Sequence, residues 1–310
     1  VDIYDMSFIS KFFNFDKKQM TDSPDNSVYD INIIEINMDD LNEFSYSLKD
    51  IQDLKISGLV IRNALSEETV NACVSIIKSA PDENKKEITS GIIYPEGFST
   101  AIESFGKDEN ELYSYFVRNK IFRENIVENF GFDFESLIQD TFSQLSGGLK
   151  VEVPQGMNDK GSYISLTAKI IKPGQGSIPI HCGNVLQYYF DDFYEHLEKS
   201  TSVYDQVSYF IMLDPSDSGG ELTLYNTLWS ETQKIIDNST LENLDGEKIN
   251  IEDPNSIGKQ QLKLNPGDTI IFSGGQIWHR IEEIRGSKDR ITIGGFIAYS
   301  KNNEKLYYWS

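Results

Sequence analysis

Apolar positions along the chain follow two rhythms, and the change falls near Gly147-Gly148. Before it they recur mostly at helical spacing. Val70, Cys73, Val74, Ile76 and Ile77 form one stripe, opened by Ser66 with Glu67 and Glu68 behind it and closed by Pro81. A hydroxyl cap, acids at the positive end and a terminating proline predict a helix there. Cys73 lies within the stripe and reads as a packed core thiol. Tyr113, Phe116, Ile121, Phe122, Ile126, Phe130, Leu137 and Phe142 predict further helix over residues 109–147. Gly58-Leu-Val-Ile61, ending at Arg62, is instead an apolar run short enough for a buried strand.

After Gly148, short β-branched and aromatic runs alternate with Gly, Pro, Asn and Asp clusters. Strands are expected at Tyr163–Ile171, Ile178–Cys182, Val207–Leu213, Glu221–Tyr225, Gln260–Leu264, Thr269–Phe272, Ile277–Ile281 and Ile291–Tyr299. That many short strands at this spacing imply a sandwich or a double-sheet jelly roll. The fold class is therefore mainly β with flanking α. Residues 149–310 form the jelly-roll core and residues 31–148 a mostly helical part packing on it, in one folded unit. Residues 1–30 carry no clean period and read as a variable N-terminal extension. Segment 226–258 is long, polar and partly helical in pattern, and is expected to serve as a lid.

The chain has 310 residues, of which 39% are hydrophobic, enough for a sizeable core. No apolar run reaches the ~18 residues of a membrane span. Val1-Asp-Ile-Tyr-Asp5 lacks the basic start of a secretory signal. Two cysteines, Cys73 and Cys182, make no disulfide framework, and a cytoplasmic location is expected. The net charge of −21 opposes nucleic-acid polymers, anionic membranes and acidic carrier proteins as partners. Beyond that it confers solubility. A free small molecule remains as the expected substrate.

Three histidines are present. His196 sits in the charged run Asp191-Asp-Phe-Tyr-Glu-His-Leu-Glu-Lys199 and reads as a solvated helix face. His181 and His279 sit in strands, flanked by apolar residues, and either alone would read as a satisfied core histidine. As a pair on two strands of one jelly roll they read as two ligands of one metal. Arg290 starts the run Arg290-Ile-Thr-Ile-Gly-Gly-Phe296, in which strand alternation turns Arg290 and Thr292 the same way. A guanidinium directed into an apolar barrel needs an anion. A carboxylate co-substrate would serve, with Thr292 adding a hydrogen bond, and so would an internal glutamate.

His181, Gly219-Gly-Glu-Leu222, Asn265-Pro-Gly-Asp268, His279, Arg290 and Thr292, in this order, resemble the Fe(II)/2-oxoglutarate-dependent oxygenase superfamily. The resemblance implies a double-stranded β-helix, iron on His181 and His279, 2-oxoglutarate on Arg290, and O2 as oxidant. Where that superfamily usually reads His-x-Asp or His-x-Glu, this chain reads His181-Cys182-Gly183. Alternation places residue 183 on the face of His181, where glycine offers no carboxylate, and turns Cys182 away into packing. A chloride or bromide ion would restore both the lost charge and the lost ligand, which is the logic of the iron halogenases.

Gln206-Val-Ser-Tyr-Phe-Ile211, Tyr225-Asn226, Arg290–Phe296 and Lys305-Leu-Tyr-Tyr-Trp-Ser310 are similar to the carrier-independent halogenases of hapalindole and welwitindolinone alkaloid biosynthesis. That family implies chlorination or bromination of an unactivated aliphatic carbon, by Fe(IV)-oxo hydrogen abstraction and halogen rebound. It also implies that Ser208 helps steer the oxo ligand, against the alternative of ordinary strand polarity. Two other outcomes stay open. A hydroxylase results if Asp191, Asp192 or Glu195 folds onto the metal, or if water fills the open position. A non-catalytic jelly-roll binding module is the second.

Overall fold

The computed structural model describes residues 29–88, 91–95, 109–175, 177–187 and 191–310. Most of the proposed N-terminal extension lies outside them. The first strands are β1 (Ile33–Asn37), β2 (Gly58–Arg62), β3 (Lys86–Ile88), β4 (Gly91–Tyr94) and β5 (Lys150–Glu152). They are followed by β6 (Thr167–Ile171), β7 (Ile178–His181), β8 (Val207–Asp214) and β9 (Leu222–Leu228). Three short strands come next, β10 (Thr232–Asp237), β11 (Thr240–Asn243) and β12 (Lys248–Asn250). The chain ends with β13 (Lys259–Leu262), β14 (Thr269–Phe272), β15 (Ile277–Ile281), β16 (Arg290–Tyr299) and β17 (Lys305–Trp309).

Eight of these strands wind between two facing antiparallel sheets. β14-β8-β16-β6 lie side by side in the larger sheet, and β13-β9-β15-β7 make up the smaller one. Successive strands β6, β7, β8 and β9, then β13, β14, β15 and β16, cross from sheet to sheet, which is the double-stranded β-helix expected. β1, β2, β3, β4, β5 and β17 extend the larger sheet to ten strands. The segment 31–148 is therefore less purely helical than expected, because β1 to β4 bury themselves against sheet edges that the sequence cannot display.

Four of its helices fall where periodicity places them, at Glu67–Ser79, Glu109–Glu124, Ile126–Phe130 and Phe134–Leu145, and a short one at Ser47–Gln52 falls where none was expected. The Ser66 side chain accepts from Thr69 N and caps the first of them. Apolar faces of these helices cover the outer side of the larger sheet, in a core that includes Cys73, Phe116, Phe142, Ile211, Ile293 and Trp309. Burial pushes the Cys73 thiol up to about 11, as befits a packed side chain.

Segment 226–258 is where the structure departs most from expectation. Apart from one 3-10 turn at Trp229–Glu231 it is strand where it is regular: β10, β11 and β12 form a separate three-stranded antiparallel sheet. Ile235, Leu241 and Ile251 from this segment pack with Ile180, Cys182, Tyr225 and Trp278, covering the outer face of the smaller sheet. Few apolar residues suffice, because each sits on the one face that meets Trp278. This pattern is too sparse for a periodicity reading to recognise.

The turn Asn265-Pro-Gly-Asp268 ties the sheet edges together. The Asp268 carboxylate is buried and accepts from the Arg62 guanidinium, from Asn63 N at 3.2 Å and from Asn265 N at 2.8 Å. Its backbone carbonyl accepts from Met212 N at 2.9 Å. Replacing Asp268 by Ala takes the acceptor from the Asn63 and Asn265 N–H groups and one ion pair from Arg62, which keeps Glu35, and should destabilise the fold by about 3 kcal/mol. A melting temperature several degrees lower, read by circular dichroism, is the expected outcome.

Candidate active site

The two strand histidines stand directly opposite each other. His279 on β15 pairs in register with His181 at the end of β7, and their ring centroids are 4.2 Å apart. Alternation works as the sequence implies. His181 faces the barrel interior while its neighbours Ile180 and Cys182 face outward into the Trp278 cluster. His279 likewise packs edge-on against Phe272, at 4.8 Å. Each ring donates from Nδ1 to a carbonyl two residues back, His181 to Pro179 and His279 to Ile277, both at 2.8 Å. This fixes the tautomer and leaves both Nε2 lone pairs for a metal. Desolvation lowers the His181 pKa to about 4, and desolvation with the neighbouring ring holds His279 well below its ordinary value. Both rings are thus neutral near pH 7, the state a metal ligand needs.

Among the described residues, no group of three His, Cys, Asp or Glu side chains could hold a metal. Glu195 is exposed, and the side chains of Asp191 and Asp192 lie outside the described set. Gly183 follows His181 and opens a short helix, Gly183–Leu186, after an extended Cys182. Its N–H donates to Gly274 O at 2.7 Å. A Cβ at position 183 would lie 2.9 Å from Gln206 Nε2 and 3.1 Å from Gly275 Cα. The two histidines therefore fit iron as an incomplete donor set, to which residue 183 adds nothing.

Arg290, at the start of β16, is 2% exposed. Its Nε donates to Gly220 O at 2.8 Å, and its guanidinium lies over the Phe210 ring at 5.1 Å. Nη1 reaches Thr292 Oγ1 only at 3.5 Å, and Nη2 has no partner. Gly220, at φ +73°, permits this approach, since a Cβ there would lie 3.0 Å from Arg290 Cδ. Desolvation lowers the Arg290 pKa to about 10. The internal Arg–Glu alternative does not form among the described residues. A buried guanidinium with a vacant donor fits a carboxylate ligand.

One member of this cluster escaped the sequence reading. Lys169 on β6 stands in register with Thr292, and its charge acts on both Arg290 and His181. Desolvation and Arg290 lower its pKa to about 7. A lone lysine within the apolar strand Thr167-Ala-Lys-Ile-Ile171 was the available signal. Ser208 lies on β8, only 8% exposed, with its hydroxyl against Gly274. Cys182 is fully buried and burial pushes its thiol far up, in keeping with packing. His196 is not solvated as expected. It is half-buried, bonded to the Tyr163 hydroxyl and packed on Phe116.

Comparison with known proteins adds two findings. A structure of an N-substituted L-amino acid dioxygenase from Burkholderia ambifaria AMMD, in complex with alpha-KG, matches with TM-score 0.51 and 14% identity. The match covers 85% of this chain and 90% of that one. A second structure of that dioxygenase matches with TM-score 0.51 and 15% identity, over 84% of this chain and 90% of that one. At such identity the likeness is one of fold. Curated proteins include no match. The family model described as "Carrier-protein-independent halogenase WelO5" matches residues 30–310. By this match over nearly the whole described length, the chain belongs to the WelO5 family of carrier-protein-independent halogenases, and is an oxidoreductase enzyme.

Proposed function

We propose that this enzyme is an Fe(II)- and 2-oxoglutarate-dependent halogenase acting on an unactivated aliphatic carbon of a free small molecule. The observation that carries the reading is the pair of register-matched histidines followed by Gly183 in place of a carboxylate. Family membership supports an iron and 2-oxoglutarate enzyme in general, and Gly183 supports halogenation in particular.

When bound, iron and 2-oxoglutarate supply, with O2, the oxidant for hydrogen abstraction and halogen transfer to carbon. The protein's own groups do the rest. His181 and His279 would hold the iron, their rings locked by the Pro179 and Ile277 carbonyls. Arg290, seated over Phe210, would receive the distal carboxylate of 2-oxoglutarate on its vacant Nη2. Thr292 and Lys169 flank that end of the pocket. Gly183 would leave a coordination position for chloride or bromide, and Ser208 is the polar neighbour proposed to orient the oxygen-derived ligand. Apolar interior residues, among them Phe272, Ile277 and Ile281, keep the pocket dry.

Anomalous diffraction at the bromine edge, from anaerobic crystals with Fe(II), 2-oxoglutarate and bromide, tests the reading without the substrate. Bromine on the iron beside Gly183 is the expected result. A carboxylate or water in that position would favour a hydroxylase, and absence of iron a binding module.

Two further outcomes follow from the charges of the site. Depressed histidine pKa values mean that protons compete with metal only well below pH 6. Fe(II) affinity should decline modestly as pH falls through about 7, where Lys169 gains its charge, and steeply as pH approaches about 4, where His181 protonates. Anaerobic metal titration across that range checks this. Arg290→Met removes the carboxylate partner and also an incompletely paired buried cation. Its affinity for 2-oxoglutarate should fall by about 100-fold, the effect of losing a charged hydrogen bond. The melting temperature of the ligand-free variant should hold or rise. Calorimetric titration and thermal melting read the two effects separately.

A further inference from the structure

Lys169 is the charged residue of an otherwise uncharged strand, β6, which reads Thr167-Ala-Lys-Ile-Ile171. Strand alternation sorts its neighbours. Ala168 and Ile170 pack into the helix-covered core, whereas Ile171 packs with Phe272, Ile277 and Ile281 inside the barrel. Lys169 shares the face of Ile171 and so turns inward. It stands opposite Thr292 of β16 on one side and opposite Ile93 of β4 on the other. Arg290 lies on the same face of β16, opposite Ile171. Opposed side chains of an antiparallel pair start about 5 Å apart. The lysine, the threonine and the arginine therefore make one polar group in an apolar wall.

That group is rich in donors and positive charge. Arg290 is buried with Nη2 unbonded, and its Nη1 reaches Thr292 Oγ1 only at 3.5 Å. After desolvation, the charge of Arg290 is what lowers the Lys169 pKa. Two like charges on adjacent strands repel, and loss of water strengthens the repulsion. A carboxylate between them turns both interactions favourable. Thr292, Ile93 and Met212, the residues in register around Lys169, bring no negative charge. Glu221 acts on Arg290 only through its field. Lys169 is half-buried, so the interior space reaches it, and its charge is felt at His181 as well. It thus stands between Arg290 and the metal ligands.

We propose that Lys169 determines co-substrate specificity: with Arg290 and Thr292 it grips the far carboxylate of 2-oxoglutarate, selecting a dicarboxylic 2-oxo acid over one with an uncharged tail. This rests on the 2-oxoglutarate reading of the site and deepens it. Arg290 alone is a partly spent fork, since its Nε is engaged by Gly220 O. The lysine amino group, charged or neutral, brings further N–H donors from the neighbouring strand. One carboxylate then receives donors from two strands at once. A methyl group in its place would leave both cationic side chains desolvated without an acceptor, and that unmet cost is what rejects the wrong acid.

The test uses the full-length protein, anaerobic and with Fe(II) bound, and reads affinity by calorimetric titration without turnover. Two ligands are compared: 2-oxoglutarate, and 2-oxopentanoate, which has a methyl in place of the far carboxylate. Lys169→Met should raise the Kd for 2-oxoglutarate about 30-fold and leave that for 2-oxopentanoate within about threefold. The preference for the dicarboxylic acid should thus fall by about tenfold or more. Lys169→Gln stays polar and close to lysine in shape, and gives the same split if the methionine variant fails to fold. Equal losses for both acids would place the lysine at the metal-bound end and overturn the assignment. An unchanged preference in a variant that melts like the wild type overturns it too. A wild-type protein that holds Fe(II) yet binds 2-oxoglutarate no more tightly than 2-oxopentanoate overturns the reading of the Arg290 pocket itself.

Discussion

Everything at the centre of this enzyme depends on one cross-strand pairing, His279 of β15 against His181 of β7. Opposed residues of an antiparallel pair stand close enough to share a partner, so register alone brings the two imidazoles within 4.2 Å. A slip of β7 by one residue would turn His181 out of the barrel and Ile180 or Cys182 in. β7 is the edge strand of its sheet, which makes that register a liability. The small sheet β10–β12 manages it from behind. Its apolar residues pack on Ile180, Cys182 and Trp278, and Asn238 Oδ1 accepts from Ile180 N at 3.1 Å. Segment 226–258 thus supports the site from the outer face of the smaller sheet.

The second organising fact is charge. The interior holds two neutral histidines, a buried Arg290 with a free donor, and Lys169, whose pKa is lowered to about 7. No described carboxylate offsets them at the metal position. In the ligand-free state such a pocket spends stability on the incompletely bonded guanidinium of Arg290, a cost that folded proteins tolerate where a ligand repays it. On the proposed reading, the divalent metal and Arg290 balance a dicarboxylate and one halide. A carboxylate at residue 183 would supply the same single negative charge covalently. That equivalence is the reason a glycine there points to an exchangeable anion.

Much of this was legible in the chain. All eight core strands lie where β-branched runs sit between turn residues, and the boundaries at Thr269–Phe272 and Ile277–Ile281 coincide with those observed. The helix after Ser66 was readable from its cap and stripe, and the outward packing of Cys182 from strand alternation. Other features were not legible, for identifiable reasons. β10–β12 carry too few apolar residues for a periodic signal, since only one face of each meets a core. Lys169 belongs to no motif, and its meaning comes from a partner distant in sequence, Thr292.

The sequence by itself determined the strand-rich core, the two histidines, the arginine and the glycine that replaces a carboxylate. These are local facts, written in alternation, composition and residue type. Only the tertiary structure decided that the histidines face each other, that Arg290 keeps a vacant donor, and that Gln206 packs against the place a side chain at Gly183 would take. Register, burial and hydrogen-bond satisfaction are properties of pairs. A pair separated by 98 residues acquires them only when the barrel closes.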